Sequence, residues 1–350
     1  EVVSERAGGF RITDVVFRTE GARTTRVSVF AKATISTFDL TTQPPGPPVR
    51  LTLPPSVSSE IGSREVVATR DGRVVLLRST VAPELAAFDG TALTTVPLSE
   101  IATDLDLLPD GTAAVAALRS AGSVAYLELP RDLSAPSGIE VFRVADGGVG
   151  QVALPEARGD AGLFAFVWSS VSGDESVRRV DFPSGRVARY PVEKLVDEVA
   201  VSPDSRAALV IHRPNPATTA TDPYEAAVDR DEGFSVLDVQ TGFVQLQRTG
   251  TTRPTRFAFS PRGAFAGVAL RNDAQRRFQL QAVNLTSLVS TTLQLASTPL
   301  FLGTVPEAPG VTPHRIFVSQ QHPGGRISVI QLDTGQVRTV TGFTLNGEIQ

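Results

Sequence analysis

The 350-residue chain is 41% hydrophobic and 20% charged with both signs interspersed, which excludes a wholly disordered protein and supplies enough apolar residue to bury a core. A formal net charge of −4 without a dense Lys/Arg tract excludes the electrostatics of nucleic-acid binding. The absence of cysteine excludes disulfides, thiolate metal ligands and cysteine nucleophiles, and there is no run of 18 apolar residues to span a bilayer.

Taken in chain order, the segment 10–54 carries the turn STFDLTT at Asp39 and a Pro-rich connector, TTQPPGPPV, whose prolines remove backbone donors. Segment 55–99 has the corner TRDGRV around Asp71 and the turn AAFDGTAL at Asp89. In 100–146 the corner is LPDGTAAV at Asp110, followed by a weaker turn, YLELPRDL, around Glu128. Segment 147–193 holds GDAGLFAF around Asp160 and RVDFPSGRV at Asp181. In 194–251 the stretch VAVSPDSRAALVIH, from Val199 to His212, is followed by a long insertion and then VLDVQTGFV at Asp238. Segment 252–298 repeats the pattern with SPRGAFAG at Gly263 and AVNLTSLV at Asn284, and 299–350 with RIFVSQ and VIQLDTGQV at Asp333.

Each corner joins two short runs rich in Val, Leu, Phe and Ala, and runs such as VAVSP and FSVLDV alternate with the period of two that buries one face of a strand. The second set of turns recurs at spacings of 39 to 57 residues. A repeat of roughly 40 to 50 residues and four strands is the mark of propeller blades. The predicted fold is therefore all-β: a seven-bladed β-propeller with four-stranded antiparallel blades, in one domain over 1–350 divided at the segment limits above. A many-stranded sandwich is the rival fold. Within the insertion only a short turn around Tyr224 to Ala227 is expected. Closure of the ring is expected from Glu1 to Val3 pairing beside Phe343 to Gln350.

The copies VAVSPDSRAALVIH, FAFSPRGAFAGVAL and VIQLDTGQVRTV make the chain resemble the seven-bladed β-propellers of the YVTN and WD40-like superfamily, above all its bacterial surface and periplasmic members. The resemblance covers almost the whole chain. The Gly-His and Trp-Asp pairs of WD40 repeats are missing, since Trp168 is followed by serine. What the resemblance implies is a platform for ligands or partners. The same architecture also hosts lactonases and lyases, so chemistry must be argued from the residues.

Only three histidines are present, His212, His314 and His322, without HExxH spacing. His212 and His322 are expected to approach one face, and Asp104, Asp106, Asp197 and Glu198 near the starts of inner strands provide carboxylates for a central funnel. These six form the alternative site of a lactonase-like or lyase-like enzyme. The bland reading is that they are structural or solvated. Ser202 and Ser260 lie in turn corners and not in GxSxG elbows, and there is no GxxxxGK[ST] phosphate loop. No catalytic residue, metal ligand or cofactor is assigned.

The main irregularity is RPNPATTATDPYEAAVDRDEG, Arg213 to Gly233, which replaces a short loop of other blades. Long loops on a rigid base carry recognition. Arg213, Asp222, Tyr224, Asp229, Arg230 and Asp231 are the candidate binding residues: Tyr224 brings apolar area with a polar tip, and the charged groups orient a partner. Replacing this loop with a Gly-Ser turn is expected to abolish capture and leave the melting curve nearly unchanged. The expected function is a non-catalytic scaffold of a bacterial cell envelope, periplasmic or at the cell surface, with a protein or glycan partner. The start at Glu1 is read as processing or trimming, with any signal peptide or lipid anchor upstream of it.

Overall fold

The computed structural model describes residues 12–43, 46–58, 64–146, 148–158, 162–170, 174–307 and 313–342. Their strands form seven four-stranded sheets, each made of four consecutive strands in sequence order. The pairings are antiparallel, as in Ala113–Leu118 against Ser123–Glu128 or Phe265–Asn272 against Arg277–Asn284. This is the seven-bladed β-propeller expected from the repeat. The blades run over 12–52, 64–97, 104–143, 151–191, 196–250, 253–294 and 299–341. The corner expected at Asp160 and the terminal segments expected to close the ring lie outside the described residues.

Burial changes across each blade. Second strands such as Ala113–Leu118 and Ala207–His212 are buried at every position, whereas the last strand of the seventh blade, Val337–Thr341, is exposed throughout. A second strand has a sheet neighbour on either side and packs by both faces, so Ala and Val are favoured there.

Two compact units result, one comprising the described residues up to Leu154 with Phe182–Gly185, the other Pro155–Asp181 with the described residues from Arg186. In the first, Phe30 and Ile35 of blade 1, with Leu53 and Val57 of the segment that follows it, pack with Val75, Leu77, Ala86 and Phe88 of blade 2. In the second, Leu209, Phe234 and Val236 of blade 5 pack with Val268, Leu270 and Val283 of blade 6.

The repeated corners owe their shape to side chains. Ser202 donates to Asp204 Oδ1 at 2.6 Å while its Oγ accepts from the Ala207 amide at 3.0 Å. Thr69 repeats this with Asp71 and Val74 at 2.8 and 3.2 Å. The second set of turns uses one acceptor oxygen: Asp238 Oδ1 takes the amides of Gln240 and Thr241, and Asn284 Oδ1 takes those of Thr286 and Ser287, all at 2.8–2.9 Å. A carboxamide serves as well as a carboxylate because only an acceptor is needed.

Candidate functional site

The insertion of blade 5 is more ordered than a turn. Pro223–Arg230 forms an eight-residue helix, α1, in place of the short turn expected. Asp222 supplies the reason: its Oδ1 accepts the Tyr224 and Glu225 amides at 2.8 and 2.9 Å, and Pro223 occupies the first helical position, where a missing N–H costs nothing. Ala226 and Val228 face inward and are buried.

The other end of α1 is held by Lys194. This lysine is 1% exposed, and its Nζ donates to the carbonyls of Val228 and, at 3.1 Å, Asp229. A cation satisfying the last carbonyls of a helix meets both the unpaired acceptors and the negative end of the helix dipole. Burial lowers the Lys194 pKa, against the opposing charges of Asp229, Asp231, Glu175 and Glu232. The Asp229 carbonyl also accepts the Asn215 amide at 2.7 Å, and its carboxylate accepts Thr218 Oγ1.

The six binding candidates therefore separate. Asp222 is a cap, Asp229 is tied to Thr218, and Arg213 donates to the Ser170 carbonyl. Asp231 pairs with Arg248 at 2.6 Å. Tyr224, 65% exposed, and Arg230, exposed on the last turn, face solvent. The Arg248 guanidinium lies 5.5 Å from the Tyr224 ring centre, so Arg248 links Asp231 to the aromatic ring. Lys194 and Arg248 were not singled out from sequence. The one available signal was that Lys194 is among only two lysines in an arginine-rich chain.

The helix also corrects the expectation that the insertion can be removed without thermal cost. A Gly-Ser replacement would delete the Val228 and Asp229 carbonyls and leave a buried ammonium without them.

Most of the funnel candidates are engaged by bonds within their own surroundings. His212 is 2% exposed, with Nε2 2.7 Å from Ser235 Oγ and Nδ1 3.3 Å from the Leu195 carbonyl. Burial pushes its pKa down to about 3, so the ring is neutral. His322 is an exposed turn residue whose Nδ1 accepts the Gly324 amide at 3.1 Å. Asp197, exposed beside Glu198, lies 3.8 Å from Arg253. Asp104 and Asp106 accept the backbone amides of Val152 and Leu154. Among the described residues, no three His, Asp or Glu side chains are grouped to hold a metal ion. No helix of the described residues is long and apolar enough to cross a membrane.

No family model matches the chain, and no curated protein matches it. Among solved structures, it is similar to Kuenenia stuttgartiensis hydrazine synthase, with 13% identity and a TM-score of 0.53 over 97% of this chain and 99% of that one. It is also similar to Hsv2 of Kluyveromyces lactis, at 10% identity and a TM-score of 0.50 over 95% and 98% of the two chains. Hsv2 of Kluyvelomyces marxianus gives 9% and 0.52 over 95% and 97%. At such identities the likeness extends to the architecture alone. The chain is a seven-bladed β-propeller.

Proposed function

We propose that this propeller is a non-catalytic binding scaffold of a bacterial cell envelope, and that it captures a protein or glycan partner of that envelope on the α1 face of blade 5. The observation that carries the reading is Tyr224: a largely exposed aromatic on a helix fixed at its start by Asp222 and at its end by Lys194. A rigid, exposed aromatic next to arginine is the composition of an interaction hot spot, because large contact area is gained with little side-chain entropy lost. The lactonase-like or lyase-like alternative draws no support from His212, Asp104 and Asp106, whose polar atoms bond to the fold itself.

The test is a crosslinked native pull-down from the source-cell envelope, comparing the intact protein with a Tyr224→Ala, Arg230→Glu variant. The expected result is a stoichiometric partner lost from the variant, whose melting temperature stays that of the parent. Undiminished capture by a folded variant would overturn the assignment of this face. Glycosidase treatment of the captured material separates a glycan partner from a protein one.

A further inference from the structure

Asp104 and Asp106, whose role the binding reading leaves open, lie on the first strand of blade 3, Asp104–Leu107. Beside them runs Gln151–Ala153, a three-residue strand that belongs to the first compact unit. Alternate amides of a strand point to the same edge. The amides of Val152 and Leu154 accordingly donate to Oδ2 of Asp104 at 2.8 Å and of Asp106 at 2.7 Å. Thr103 Oγ1 adds a bond to the Gly150 carbonyl, also at 2.8 Å. Here side chains take the place of a backbone ladder.

The charged groups facing this seam are few. Glu65 comes from Arg64–Ala68 of blade 2, and Arg78 from Val75–Ser79 bonds both Glu65 and the Ala102 carbonyl at 2.8 Å. The strands Ala113–Leu118 and Gln151–Ala153 contribute no charged residue. Asp104 thus lies near one carboxylate, Glu65, and one guanidinium, Arg78, while the Arg119 guanidinium packs against Gly150 at the start of the seam. Burial raises the Asp104 pKa to about 6, with the Val152 amide opposing and Glu65 adding to the rise, and Asp106 is displaced in the same direction by burial.

We propose that Asp104 is a proton-sensitive fastener: protonation tightens Gln151–Ala153 onto blade 3, and deprotonation loosens it. A protonated carboxyl keeps a carbonyl oxygen for the Val152 amide while shedding the charge that burial and Glu65 oppose. When the seam opens, Asp104 meets water and returns toward its ordinary value of 3.8. The closed form therefore binds the proton more tightly, so opening is suppressed as pH falls through 6 and restored as it rises. With those two values the opening equilibrium drops about tenfold between pH 7 and pH 5.

Hydrogen exchange on the intact protein reads this directly, using peptides covering 149–155 and rates divided by the intrinsic chemical exchange at each pH. About tenfold greater protection at pH 5 than at pH 7 is expected. Equal protection, or greater protection at pH 7, overturns the proposal. Asp104→Asn retains the acceptor without the charge, so its protection at pH 7 should exceed the parent's and its pH profile should be flatter, the remaining slope belonging to Asp106; a parent-like pH dependence in that variant also overturns the proposal. Carbon-13 titration of the Asp104 carboxyl in the parent guards against a variant that fails to fold: a midpoint near 6 supports the fastener, and one near 4 sinks it.

Discussion

His212 shows how a residue suited to chemistry can be absorbed by structure. It ends the second strand of blade 5, Ala207–His212, and bonds Ser235 on the next strand, two residues beyond its register partner Gly233. Gln320 ends the second strand of blade 7 and bonds Ser328, two residues beyond its partner Arg326, at 2.8 Å. The two side chains fill one repeated position. His212→Gln should therefore leave urea stability within about 1 kcal/mol of the parent, whereas His212→Leu, which strands the buried Ser235 hydroxyl while the Leu195 carbonyl keeps the Arg213 amide, should cost about 1–3 kcal/mol. The buried ring also sets a pH dependence. Its folded pKa of about 3 lies below the ordinary 6.5, so unfolding takes up a proton as pH falls from 6.5 toward 3 and stability declines over that window. In His212→Gln this decline should be absent, which urea titrations at pH 7 and pH 4.5 would show by comparison with the parent.

At the scale of an element, α1 is stable because both ends are satisfied. Its eight residues are too few to hold a helix in water unaided, and its buried contacts are confined to Ala226 and Val228. Lys194→Met keeps the aliphatic stem and removes the donor. It should lower stability by about 1–3 kcal/mol and open the insertion to proteases between Pro214 and Thr221. Asp222→Ala should cost about 1 kcal/mol through the lost cap. Limited proteolysis beside equilibrium unfolding measures both; an insertion equally resistant in Lys194→Met would remove Lys194 as its anchor. The start signal of this helix, Asp-Pro-Tyr-Glu, was present in the sequence. Its length was not, because the residue that satisfies its last carbonyls lies 34 positions upstream of Val228.

At the scale of the whole molecule, neighbouring blades within each unit are joined by close apolar packing. Gly267, within Phe265–Asn272 of blade 6, stands where a Cβ would run into Ile316 Cδ1 of blade 7, with Leu280 and Leu332 at 3.5 Å. Both Ile316 and Leu280 are fully buried, so there is little room to yield. Gly267→Val should reduce stability by about 1–3 kcal/mol in urea unfolding through overpacking; an unchanged midpoint would show that the blades can part at this point. A glycine inside a strand signals close approach, but the sequence does not say to what.

The repeat, the strand alternation and the corner chemistry were legible in the sequence, and they determined an all-β propeller of seven four-stranded blades. That information is local: Ser202 with Asp204, or Asp238 with Thr241, completes its bonds within a few residues, so the pattern is visible wherever the turn recurs. The insertion after His212 was legible as an irregularity, and Tyr224 as its exposed aromatic. Only the tertiary structure decided which polar residues remain outward. Asp104 reaches Val152, 48 positions on, Lys194 reaches Asp229, 35 positions on, and Arg213 reaches Ser170, 43 positions back. A side chain's bonding partner at such separations is set by how blades pack, and a buried polar group takes whatever partner that packing brings within reach.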